Sequence, residues 1–124
     1  MEFLHTNLAP AAIGPYSQGI KSGSLVFFSG QIALDPTSGE LVGTTTAEQI
    51  QQVIKNLQGL LDRNNLAREN IIKTSIFLVN LSDFELVNQH YADWLGSHRP
   101  ARSTVEVSAL PKGASVEIEM IVES

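Results

Sequence analysis

Residues 46–79 read TAEQIQQVIKNLQGLLDRNNLARENIIKTSIFLV, and the fold class turns on this stretch. Ile50, Val53, Ile54, Leu57, Leu60 and Leu61 recur at spacings of three and four, which places them on one face of an α-helix. Thr46-Ala47-Glu48-Gln49 supplies a capping box at its start, and Asn64-Asn65 supplies the stop. Then the texture changes. Ile71 to Val79 is β-branched and aromatic, the composition of a strand.

Working outward, Ser82-Asp83-Phe84-Glu85 offers a second capping box. Phe84, Val87, Tyr91, Trp94 and Leu95 form one apolar stripe that ends at Gly96. Beyond Pro100 the side chains alternate: Arg102, Thr104 and Glu106 point one way and Ser103, Val105 and Val107 the other. After the Ala109-Leu110-Pro111-Lys112-Gly113 connection, Val116, Ile118, Met120 and Val122 alternate with Glu117, Glu119, Ile121 and Glu123, and these last two strands are expected to pair as a hairpin. Upstream, residues 8–23 contain three Gly and two Pro, marking an extended N-terminal arm and a turn before the strand candidate Ser24 to Ile32. Asp35-Pro36-Thr37-Ser38-Gly39-Glu40 has the content of a surface turn.

The order strand, strand, helix, strand, helix, strand, strand predicts an α+β domain with two helices on one face of a mixed sheet of about six strands. Two helices about 10 Å across cover one face of strands spaced about 4.8 Å apart, which leaves the second face bare. Yet Val26-Phe27-Phe28 and Ile76-Phe77-Leu78-Val79 put large apolar groups on both faces of their strands. A homo-oligomer that covers the second face is therefore expected.

Length and composition narrow the function. At 124 residues, 43% hydrophobic and 17% charged, the chain reads as one domain spanning 1–124, long enough for a core without staples. With no Cys, disulfide frameworks, thiolate zinc sites, iron-sulfur clusters and cysteine nucleophiles are excluded. A formal charge of -5 repels phosphate backbones and anionic membranes, so neither nucleic acid nor membrane is an expected partner. The N-terminus carries no basic segment leading into an apolar run, and Leu25 to Phe28 and Ile76 to Val79 are far too short to span a bilayer. A cytoplasmic protein is expected.

Candidate chemistry is sparse. His5, His90 and His98 stand at no metal-ligand spacing, so no metal site is expected. Gly14-Pro15-Tyr16-Ser17-Gln18-Gly19-Ile20-Lys21-Ser22 nearly matches a phosphate-binding loop, but its Lys is displaced and no strand and helix flank it. No G-x-S-x-G elbow is present. Arg102 on a strand beside Thr104 is either a rigid fork for a carboxylate or a solvated surface arginine. Glu117 is either a carboxylate that orients a water or the outward member of an alternating strand. Tyr16, after Gly14-Pro15, offers a phenol from a stiff turn or packs inward. Ser29-Gly30-Gln31 marks a close backbone approach or only a bulge.

The constellation of motifs says more than any one residue. Ala11-Ala12-Ile13-Gly14-Pro15-Tyr16-Ser17-Gln18-Gly19, Ser29-Gly30-Gln31-Ile32, Arg99-Pro100-Ala101-Arg102-Ser103-Thr104-Val105-Glu106-Val107, Leu110-Pro111-Lys112 and Val116-Glu117-Ile118-Glu119 together resemble the RidA/YjgF/YER057c/UK114 family over nearly the whole chain. The resemblance implies a chorismate-mutase-like fold of the Bacillus type. It also implies a homotrimer whose intersubunit clefts hydrolyse reactive 2-imino and enamine acids, such as 2-iminopropanoate and 2-iminobutanoate, with no cofactor. Carried over by position, Arg102 matches the arginine that clamps the substrate carboxylate, and Glu117 the acid that positions the attacking water. Tyr16 and Asn88 match residues lining the cleft, and Ser29 and Gly30 its backbone wall. Thr104 stands where many members have Cys; its hydroxyl can hydrogen-bond a ligand, but no sulfur chemistry is available. Two rival classes remain: a regulatory module that binds small carboxylates without turnover, and an endoribonuclease, which the acidic balance opposes.

Overall fold

A six-stranded sheet in the order β1-β2-β3-β6-β4-β5 organises the computed structural model, which describes residues 1–124. Its strands are β1 Glu2–Leu4, β2 Gly19–Ser22, β3 Leu25–Gln31, β4 Ile71–Leu78, β5 Ala101–Glu106 and β6 Val116–Glu123. Helices α1, Thr46–Arg63, and α2, Phe84–Leu95, pack on one face. The mixed sheet with two helices agrees with the sequence reading. The number of strands before α1 does not: the end of the expected N-terminal arm, Gly19–Ser22, forms β2, and Glu2–Leu4, ahead of that arm, forms β1, which pairs antiparallel with it.

The expected terminal hairpin is absent. β6 lies between β3 and β4, antiparallel to both, and β5 pairs parallel to β4 at the sheet edge. Alternation tells which way each side chain points but carries no information about which strand is the neighbour. A parallel pair needs a crossover, and α2 supplies it between β4 and β5.

Both helix starts differ in detail from the sequence reading. The capping box of α1 is Thr45 with Glu48, one residue earlier than Thr46 with Gln49: Thr45 Oγ1 accepts from Glu48 N at 3.2 Å, and Glu48 Oε1 accepts from Thr45 N at 3.2 Å. Thr46 is unavailable because its buried hydroxyl turns inward, to Asp83 Oδ2 at 2.7 Å and Ser115 Oγ at 2.9 Å. That contact also occupies Asp83. Instead of a Ser82 box, a 3-10 turn at Leu81–Asp83, capped by Asn80 Oδ1 on Ser82 N at 3.0 Å, leads into α2. Helix α2 ends as expected at Gly96, whose φ of 65° favours glycine.

The core lies between helices and sheet. Ile50, Val53, Leu57, Leu60 and Leu61 of α1 and Val87 of α2 are buried against Val26, Ile76, Leu78, Val116, Ile118, Met120 and Val122. Each such side chain gains about 1.5–3 kcal/mol from burial, which is what holds the helices down against their ordering entropy. The opposite face of the sheet has no helix. There the register aligns Phe27 with Ile121 and Phe77 with Val105, and Phe27 and Val105 are 43% and 46% exposed. The bare apolar face expected from the sequence is present.

Candidate active site

Glu117 and Arg102 leave the sheet on opposite faces. In β6, Glu117 pairs with Phe77 on the bare side, and in β5, Arg102 pairs with Thr74 on the helix side. Apart from Thr104, the residues singled out from the sequence fall into two clefts.

The first cleft, of about 580 Å³, brings together Tyr16, Ser29, Gly30 and Glu117. The register between β3 and β6 shifts between Phe28 and Gln31, so Ser29 and Gly30 sit in a bulge. Gly30 is required for space: a Cβ there would overlap Glu117 Oε2 and stand 2.9 Å from its Cδ. The bulge and the close approach, alternatives in the sequence, are one feature. Ser29 Oγ donates to Ser17 O at 2.6 Å, so towards a ligand it presents lone pairs. Tyr16 is 55% exposed, which decides against inward packing; its N–H bonds Gly14 O at 2.9 Å, a tight turn that needs Gly14 at φ 114°. Burial, helped by the like charge of Glu119, raises the Glu117 carboxyl above the ordinary carboxylate range. A carboxyl held that way exchanges protons more readily near neutral pH than a solvated one.

The second cleft, of about 420 Å³, holds Arg102 and Asn88 with Tyr91, Arg99 and Pro100. The Arg102 guanidinium lies over the Phe84 ring at 5.5 Å and the Tyr91 ring at 5.4 Å, and its Nη1 donates to Asn88 Oδ1 at 2.6 Å. Two rings and one amide fix the fork, and the remaining N–H groups stay available for an anion. Tyr91 is itself anchored by a 2.6 Å hydrogen bond between its hydroxyl and buried Thr74 Oγ1. No carboxylate lines this cleft, so its two guanidiniums are uncompensated there.

Thr104 shares the helix-side face with Arg102 and pairs with Ile76, but it lines neither cleft, and its buried Oγ1 has no hydrogen-bond partner. Two further residues escaped sequence reasoning as individuals, although both lie inside quoted motifs. Lys112 lines the first cleft from a left-handed conformation, φ 58°, and its Nζ donates to Gly39 O at 3.1 Å. Arg99 lines the second; its place immediately before Pro100 was the only signal. No cluster of three or more His, Asp or Glu side chains is placed to hold a metal ion, and no helix is long and apolar enough to cross a membrane.

A family model described as Endoribonuclease L-PSP matches residues 6–124. A human protein named 2-iminobutanoate/2-iminopropanoate deaminase is 41% identical over 118 residues, 95% of this chain and 86% of that one. Among solved structures, RidA from the Antarctic bacterium Psychrobacter sp. PAMC 21119 superposes with a TM-score of 0.95 at 37% identity, covering 100% of both chains. E. coli TdcF with bound serine gives 0.93 at 36% identity, covering 100% of this chain and 99% of that one. By matched length, sequence and fold, the chain belongs to the RidA/YjgF family, whose model carries the Endoribonuclease L-PSP description.

Proposed function

We propose that the protein hydrolyses reactive 2-imino acids and their enamine tautomers to 2-keto acids and ammonia, in a cleft that two copies of the chain complete. The observation that carries this is the division of the site. A braced, uncompensated Arg102 fork stands on one side of the sheet and a half-buried acid on the other, so a guanidinium from one copy must meet Glu117 of the next. The bare face with Phe27 and Val105 supports such an association, which we take to be a homotrimer, as the family resemblance implies.

In this reading Arg102 takes the substrate carboxylate through its free N–H groups, while Asn88 keeps the fork from turning. The imine carbon then faces a water held by Glu117, with Tyr16 and the lone pairs of Ser29 bordering it. Water adds to the C=N bond: Glu117 takes one of its protons and passes it to the nitrogen, giving the neutral aminoalcohol. Glu117 then takes the hydroxyl proton as the C=O bond forms and delivers it to the departing nitrogen, which leaves as ammonia. No electrons change hands, so the steps call for no redox group. Imines already hydrolyse in water, and orientation with proton transfer is enough to accelerate them.

The relatives' printed names favour this reading, and serine bound to E. coli TdcF fits a site for small carboxylates. The family model's description names RNA cleavage instead; a chain of net charge -5 whose clefts hold two arginines and one lysine has no basic track for a phosphate backbone. Residence in the cytoplasm belongs to the same proposal. The test generates imines in situ from serine or threonine with a pyridoxal-phosphate dehydratase and follows keto-acid release. Acceleration by the wild type, lost in Arg102→Ala and Glu117→Ala, is the expected result; ligand binding without turnover would make the protein a sensor.

A further inference from the structure

The wall of the Glu117 cleft least attached to the sheet is the arm from Thr6 to Tyr16, which contains no strand or helix. It contributes Pro10, Ala11, Ile13 and Tyr16 to a lining that also includes Ile32 and Leu34 from the segment after β3. Ile13 is 75% exposed, so its own packing does not hold this part of the arm in place. Ala9 anchors the arm in the core, and two residues outside the arm fix it further. The first is Gln18, only 2% exposed, whose side-chain amide is spent entirely on arm backbone. Its Oε1 accepts from Thr6 N at 2.7 Å, and its Nε2 donates to Thr6 O at 3.0 Å, Ala9 O at 3.2 Å and Pro10 O at 2.7 Å. The second is Gly59, in the interior of α1, where helix propensity disfavours glycine. Its lack of a side chain has a local cause: a Cβ would overlap Leu8 O and stand 2.9 Å from both Leu8 C and Leu8 Cβ. Backbone meets backbone there, so no rotamer change relieves the overlap; the arm would have to move.

We propose that Gln18 and Gly59 are positioning residues that set the width of the cleft between Ile13 and Leu34. Through that width they set which aliphatic side chains of a 2-imino acid are accepted. The inference rests on the imine-hydrolysis reading for its substrate and on the two clamps for its mechanism. Apolar groups on both walls suit an aliphatic chain, and discrimination between chains differing by a few methylenes depends on the spacing of those walls. Neither clamp touches the reacting atoms: one holds three carbonyls and one amide, and the other makes room for a fourth carbonyl.

The experiment compares wild type, Gln18→Leu and Gly59→Ala on two substrates made in situ, 2-iminopropanoate and the 2-imino acid formed from leucine by an amino-acid oxidase. Amide hydrogen exchange across residues 6–16 is measured on the same samples. In both variants the ratio of kcat/KM between the two substrates is expected to shift by about tenfold, with altered exchange confined to the arm. Equal losses on both substrates, or an unchanged ratio with altered exchange, would reduce the clamps to structural supports and overturn the proposal. Should Gln18→Leu fail to fold, Gly59→Ala decides by the same two measurements. Ile13→Ala, on an exposed side chain, tests the wall itself, with the same ratio expected to fall. A wild type that hydrolyses neither substrate while the variants still loosen the arm would remove the imine reading, and this specificity with it, while leaving the clamp mechanics visible in the exchange data.

Discussion

Gly30 and Glu117 compete for one volume: any side chain at position 30 overlaps the Glu117 carboxylate. The clash falls on the far end of a flexible side chain, and Gly30 does not have a left-handed φ, so Gly30→Ala should cost little stability. It must, however, push the carboxylate aside. A displacement of about 1 Å costs roughly 100-fold in rate. Gly30→Ala is therefore expected to melt within a few degrees of wild type and to lose about two orders of magnitude in kcat/KM for 2-iminopropanoate. Full activity would mean that Glu117 need not stand where it does.

The raised Glu117 carboxyl gives a pH-dependent prediction. A carboxyl whose folded-state pKa lies above the unfolded value binds its proton more tightly when folded. Its stabilising contribution is present below the unfolded pKa and is lost as pH rises through the folded one. Replacing it with a neutral isostere removes that loss. Glu117→Gln should melt above wild type at pH 8, and the gap should close towards pH 4, while turnover falls at every pH. Melting curves across that range check the sign; a variant less stable at pH 8 would contradict burial as the dominant cause.

Mixing variants tests whether two copies share a site. Arg102→Ala and Glu117→Ala are each expected to be inactive. When the two are dissociated and reassociated together at equal amounts, about one quarter of the clefts regain both groups if the copies assort randomly. Recovery near that fraction is the expected outcome. No recovery, with reassociation confirmed by sedimentation, would place both groups in the service of a single chain.

Arg102→Lys keeps the charge but loses the planar fork that Phe84, Tyr91 and Asn88 brace. An increase in KM of about tenfold or more is expected, with a smaller change in kcat, because the bidentate hold on a carboxylate is what disappears. An unchanged KM would remove the carboxylate from this cleft.

Thr104 Oγ1 is buried without a partner, an arrangement that costs about 1–3 kcal/mol. Thr104→Val keeps the shape and removes the orphaned hydroxyl, so the melting temperature should rise, by roughly 2–8 °C for each kcal/mol recovered. If the hydroxyl also serves substrate, the same variant loses activity while gaining stability. That pair of measurements separates a ligand contact from a leftover of the strand's packing.

Helix periods, strand alternation and the bare apolar face were legible because each depends on local side-chain spacing, as with Leu57 and Leu60 in α1 or Phe27 beside Phe28. Strand neighbours were not, since nothing in 116–123 says that it lies between β3 and β4. For the same reason the Gly30–Glu117 contact, spanning 87 positions, could be found only once β3 and β6 were seen to pair. The alternation did put Arg102 and Glu117 on definite faces of their own strands, but without the register those faces could not be seen to be opposite. Thr45 rather than Thr46 caps α1 because tertiary contacts claim the second hydroxyl, a competition invisible among three successive threonines.

The sheet stands as a partition between the guanidinium and the acid. On the proposed function, a solitary protomer fresh from the ribosome would carry every needed group yet be unable to turn over a single molecule, and catalytic power would appear only on association. Specific activity would then decline on dilution, and anything that kept newly made chains apart would silence them without touching one of those groups.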